Sequence, residues 1–182
     1  MPTLTIVMPR VTRLHARPEW RANFSYLPEP VRVRWLQRAE ALTSSTPDAA
    51  AIAHADWARA MVLRLSRANV PIMAGTDTPI SLLTPGFSLH EELALLVEAG
   101  LTPLQAIEAA TLTPARFFGL ENIMGTIAAG KQADLVLLTA NPLDNIRTTA
   151  SIDAVVRAGH LFDRATLDEL LRAAPESDGR AH

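Results

Sequence analysis

Hydrophobic and polar positions change their period along the chain. Thr3 to Met8 is a short β-prone run and predicts a strand; Pro9 to Pro30 shows no period and predicts a loop. From Val31 the apolar residues Val31, Trp35, Ala39 and Leu42 recur on one helical face, with Arg32, Arg34 and Arg38 off it. Thr46-Pro47-Asp48 offers an N-cap, a proline at the first helical position and an acid in the first turn. The helix it opens should bury Trp57, Met61, Leu65 and Ala68 and stop near Asn69. Val70 to Gly75, apolar and set between helices, predicts a buried parallel strand. Ser88-Leu89-His90-Glu91 has the form of a capping box, opening a helix that buries Leu89, Leu93, Leu96 and Val97 and ends at Gly100.

Two more helix starts follow, Thr102-Pro103-Leu104-Gln105 and Thr113-Pro114-Ala115-Arg116, the second stopping at Gly119. The pattern then turns to β, with strands predicted at Met124 to Ile127, Ala133 to Leu138 and Ile152 to Arg157. Ala165 to Ala173 closes the pattern as an amphipathic helix, ahead of a polar tail. Strand–helix units followed by short strands predict an α/β fold, a barrel-type segment joined to a small β unit.

Composition narrows the function classes. The 182 residues are 48% hydrophobic and 20% charged, which is the balance of a chain that buries a core. The net charge is −2 with no isolated basic cluster, arguing against nucleic acid or an anionic membrane as partner. With no cysteine, disulfides and thiolate–zinc sites are excluded. No apolar run approaches the ~20 residues of a membrane span, and no basic segment precedes the first apolar stretch, so a cytoplasmic location is expected.

Asp77 is the sharpest candidate for chemistry. An acid directly after a buried strand, behind Gly75 and Thr76, sits on the rim where α/β barrels place active sites. A carboxylate there can ligate a hard metal ion and accept a proton; it can also simply cap the next loop. His90 falls on the first turn of the following helix, as a ligand or substrate-side group or as a packed residue. Glu91 has the capping-box position, and Glu92 reads as a solvated helix acid. His15 reads as an ordinary loop residue, His54 as packing near Trp57, and His160 and His182 as remote. No two histidines have H-x-H or H-x-x-x-H spacing, and neither a P-loop nor a G-x-S-x-G elbow is present.

From Asp77 onward, particular segments carry a resemblance. They are Ala74-Gly75-Thr76-Asp77, Pro85 to Leu93, Glu98 to Pro103, Ala106 to Thr111, Pro114-Ala115, Gly125-Thr126-Ile127, Gly130 to Val136 and Asn141-Pro142-Leu143. In this order the chain resembles the amidohydrolase superfamily, in its imidazolonepropionase-like and Xaa-Pro-dipeptidase-like branch. The resemblance implies a metal-dependent hydrolase of carbon–nitrogen bonds acting on an amide, cyclic amide or dipeptide-like small molecule. It implies a (β/α)8 TIM barrel with divalent metal, usually zinc, and a small β-sandwich. Asp77 would match the acid after the eighth strand, acting as metal ligand and proton shuttle, while Lys131 and Asp134 would be structural.

The same resemblance places an H-x-H on the first strand, a bridging lysine or its equivalent and two later histidines upstream of residue 70, where none is identifiable. A full barrel takes about 250 residues. The expectation is a C-terminal fragment supplying the last two strands, Thr3 to Met8 and Val70 to Gly75. Residues 1–119 would be partial barrel, 120–164 the C-terminal strands of the β-sandwich, and 165–182 a terminal helix and tail. Such a chain is expected to hold no metal by itself. It would be inactive alone, a subunit of a split enzyme whose N-terminal part is a separate chain, or a non-catalytic interaction remnant.

Overall fold

The computed structural model describes residues 2–8, 11, 13–80 and 82–174. Thr3 to Met8, expected as a strand, instead forms a single helical turn, α1 (Leu4–Val7). A strand must find partners for its backbone along both edges. Here the Met8 N–H bonds to the Leu4 carbonyl at 2.8 Å, while the Leu4 and Thr5 amides donate to the Glu92 carboxylate. The backbone is satisfied without a sheet. The apolar side chains serve the core either way, with Leu4 and Met8 both buried.

A 3₁₀ turn (Leu14–Ala16) and α2 (Pro18–Ala22) lead through a second 3₁₀ turn (Asn23–Tyr26) into α3 (Glu29–Thr43). α3 buries Trp35 and Ala39, with Val31 and Leu42 half-buried beside them, as its periodicity requires. Phe24 meets Trp35 edge-on with ring centres 5.5 Å apart. The cap of α4 (Ala49–Arg67) lies two residues later than expected: Asp48, not Thr46, accepts the Ala51 N–H at 2.6 Å. Its buried face is also rotated, to Ala55, Ala58 and Val62, leaving Trp57 exposed. Small residues let α1 and α5 share one cluster with this face.

α5 (Ser88–Glu98) is the centre of the core, with Leu93, Ala94, Leu95 and Leu96 all buried. It ends at Gly100 (φ +109), where an added Cβ would lie 2.7 Å from Leu63. α6 (Pro103–Ala110) opens with a true capping box, Thr102 and Gln105 each taking the other's backbone N–H. α7 (Leu112–Phe117) follows directly. Val70 to Gly75, expected as the eighth barrel strand, is extended but unladdered. The Ala74 N–H donates to the Ala109 carbonyl at 2.8 Å, and the Val70 N–H to the Leu65 carbonyl of α4 at 3.0 Å. Ile72 and Ala74 still pack on the core.

Met124 to Ile127, expected as a strand, is a turn region. The β unit is one antiparallel sheet in the order β1 (Leu135–Leu138), β2 (Ile152–Arg157), β3 (His160–Phe162). β2 and β3 join through Ala158 and Gly159, both at positive φ, the requirement of a two-residue hairpin turn. Asp134 braces that turn by accepting the Ala158 N–H at 2.6 Å. α8 (Arg164–Ala173) packs against β2 and β3. His182 and the rest of the expected tail after Ala174 lie outside the described residues. Among the described residues, no helix is long and apolar enough to cross a membrane.

Candidate functional site

Asp77 ends the extended run. Thr76, just before it, is buried, and Asp77 itself is exposed with φ 54, a left-handed conformation that Asp tolerates better than most residues. Its carbonyl accepts the Ile80 N–H at 3.2 Å and closes a turn. The loop is tied by its threonines: Thr76 Oγ1 accepts the Thr78 N–H, and Thr78 Oγ1 donates to the Leu83 carbonyl. The Asp77 carboxylate makes no hydrogen bond among the described residues, so the turn is closed by its backbone alone. What stands at the end of the packed segment is a free carboxylate.

His90 is committed at one nitrogen. Its Nδ1 lies 3.1 Å from Thr149 Oγ1, whose own proton goes to the Ile146 carbonyl at 2.8 Å. The hydroxyl must therefore accept, so Nδ1 carries the ring proton and Nε2 keeps a lone pair. Burial lowers the His90 pKa and favours this neutral form. The contact ties α5 to the 3₁₀ turn Ile146–Ala150, and no hydrogen bond joins His90 to Asp77.

The Ser88–Glu91 capping box does not form, because the helix begins at Ser88 rather than after it. Ser88 Oγ donates to the Thr84 carbonyl, and Glu91 turns inward. There it is clamped between Arg17 at 3.2 Å and Arg147 at 3.0 Å, and Arg147 also reaches Glu98 at 2.8 Å. Glu92, read from sequence as a wet acid, is fully buried. It accepts the Leu4 and Thr5 amides at 3.0 and 2.7 Å. Burial pushes its pKa up to about 7, with the two amides pulling the other way. Glu92 shares its helical face with Leu95 and Leu96, three and four positions on and both buried; that was the available signal.

His15 is buried rather than an ordinary loop residue, and His54 lies beside Trp57 with ring centres 6.1 Å apart. Lys131 holds the Glu121 carbonyl at 2.6 Å and also reaches Thr126 Oγ1; Asp134 braces the hairpin. These two charges are spent within the β unit.

A divalent metal held by protein takes three or four ligands. Among the described residues, no group of three or more His, Asp or Glu side chains converges to supply them. A lone exposed carboxylate does not fit that requirement.

The family pattern described as "Amidohydrolase family" matches residues 25–162. Over 101 residues the chain is 37% identical to ochratoxinase of Aspergillus niger, covering 53% of this chain and 20% of that protein. Over 75 residues it is 40% identical to imidazolonepropionase of Geobacillus kaustophilus, 41% of this chain and 18% of that protein. The solved structure of bottromycin amidohydrolase aligns with 98% of this chain and 41% of its own, at a TM-score of 0.72 and 26% identity. The chain spans about a fifth of the length of these curated relatives. With the family pattern running through most of its residues, the chain belongs to the amidohydrolase family.

Proposed function

We propose that this chain forms the carboxylate-bearing C-terminal part of a hydrolase that cleaves carbon–nitrogen bonds in amide, cyclic amide or dipeptide-like substrates. Members of the family are hydrolases of such bonds and are generally metal-dependent. In this reading Asp77 is one ligand of a divalent ion, zinc by family habit, and a proton-accepting carboxylate beside it. His90, with Nε2 free, stands on the substrate side. The other ligands would come from beyond the described residues, among which no three His, Asp or Glu side chains converge. Residues 1–119 would form the barrel part, 120–164 the strands of the smaller domain, and 165–182 the terminal helix and tail.

The observation that carries the reading is the exposed Asp77 carboxylate, unengaged by the loop that follows it. Zinc analysis and hydrolysis assays test it. The chain alone should retain well under one zinc after gel filtration and hydrolyse neither Xaa-Pro dipeptides nor acyl amides. In an assembly that supplies the missing histidines, Asp77→Asn should lower the rate by roughly 10²-fold or more, the usual worth of a positioned proton acceptor. Full activity in the Asp77→Asn assembly would refute the assignment.

A further inference from the structure

His15 is only 2% exposed, and its backbone is fixed: its carbonyl accepts Arg21 Nε at 2.7 Å, and the 3₁₀ turn closes around it. Yet neither ring nitrogen has a hydrogen bond of normal geometry among the described residues; the Leu42 carbonyl lies near without completing one. Buried polar atoms left unpaired are uncommon in folded proteins, and each asks for an explanation. Two cavities, of about 220 and 250 Å³, meet at this side chain and at Leu42. Burial lowers the His15 pKa against the pull of the nearby Leu42 carbonyl, and the positive charges of Arg21 and Arg13 lower it further; this favours the neutral ring, which has one donor and one acceptor nitrogen.

The smaller cavity has the make-up of a ligand site. Leu14, Trp20, Leu82 and Leu83 give it buried apolar walls, braced where Trp20 Nε1 donates to the Leu82 carbonyl at 2.9 Å. Among the described residues Arg38 is the charged group lining it; it is exposed, so it stands at the rim, and among those residues it makes no ion pair. The Thr5 hydroxyl, buried on the same wall beside Glu92, also lacks a well-formed bond. Mostly apolar walls with a few placed polar groups are the mark of small-molecule sites, and this volume suits a molecule smaller than a drug.

We propose that this cavity binds a small aromatic acid bearing a hydroxyl group. Its ring lies against Trp20 and the leucines, its hydroxyl pairs with His15, and its carboxylate meets Arg38. Asp77 itself does not line the cavity, though its turn carries Ile80 to the wall; binding measured here and hydrolysis measured through Asp77 are separate readouts.

Calorimetric titration of the full chain with 3-(4-hydroxyphenyl)propionate tests it. Saturable one-site binding is expected at roughly millimolar affinity or tighter, within reach of a ligand of about 12 non-hydrogen atoms. 3-Phenylpropionate, which lacks the hydroxyl, should bind about tenfold more weakly, the usual worth of one lost hydrogen bond. Tyramine, which replaces the acid with a cation, should not saturate. Arg38→Gln, on an exposed position, should weaken the hydroxy acid by about tenfold. His15→Phe should erase the preference for the hydroxyl. The proposal is overturned if the hydroxy acid does not saturate by about 10 mM, which would mean the cavity holds water alone. Equal affinity for the two acids, or indifference to Arg38→Gln, would overturn it as well.

Discussion

Titrating the protein from pH 4.5 to 7.5 puts the Glu92 carboxyl through its ionisation inside the core. The folded chain holds this proton with a pKa raised from 4.5 to about 7, burial being the main cause and the Thr5 and Leu4 amides opposing it. The unfolded chain releases the proton near 4.5, so between the two values the folded state binds more protons. Stability therefore falls as pH rises through that window. At about 1.4 kcal/mol per pH unit, the full displacement is worth about 3 kcal/mol. Glu92→Gln removes the titration while leaving a neutral amide of similar size in place. Its –NH₂ meets one of the two backbone donors, which costs a constant amount at every pH and so shifts the curve without tilting it. Urea unfolding followed by tryptophan fluorescence reads both proteins at each pH. Other titrating groups cancel in the comparison, so wild-type stability minus variant stability should drop by about 3 kcal/mol across the range. Parallel pH profiles for the two proteins would show that Glu92 is not buried as described.

Two further perturbations probe the packing around the site. Glu91→Gln removes the charge that Arg17 and Arg147 share, and since both guanidiniums are partly exposed the loss should be modest, about 1–2 kcal/mol in urea unfolding. Added salt should shrink that difference. At Gly125 (φ +93) an added Cβ would lie 2.7 Å from Ala115 Cβ and 3.2 Å from Leu112 Cα, so Gly125→Ala should cost about 2–3 kcal/mol. Gly130→Ala, also at positive φ but facing open space, should cost only about 1 kcal/mol by the same assay. Equal losses at the two glycines would mean that the close approach of residue 125 to α7 is wrong.

Short-range features were legible in the residues themselves. The α3 face, the helix start at Thr102 and the stop at Gly100 all depend on neighbours within a few positions, and each stands in the structure. The ordered segments from Ala74 to Leu143 carried the family, because its signature is written in consecutive residues. Whether Thr3 to Met8 or Val70 to Gly75 would be strands could not be read that way. A strand exists only if another segment offers it a ladder, and the folded chain offers Glu92 to the first and the Leu65 and Ala109 carbonyls, from two different helices, to the second. Charge environment is equally non-local. Adjacent acids Glu91 and Glu92 look alike in the chain. One meets guanidiniums from positions 17 and 147, the other the amides of residues 4 and 5, partners 56 to 88 positions away. Backbone propensity and turn chemistry act along the chain and are visible in it. Desolvation and strand pairing act through space, and only the packed molecule decided them.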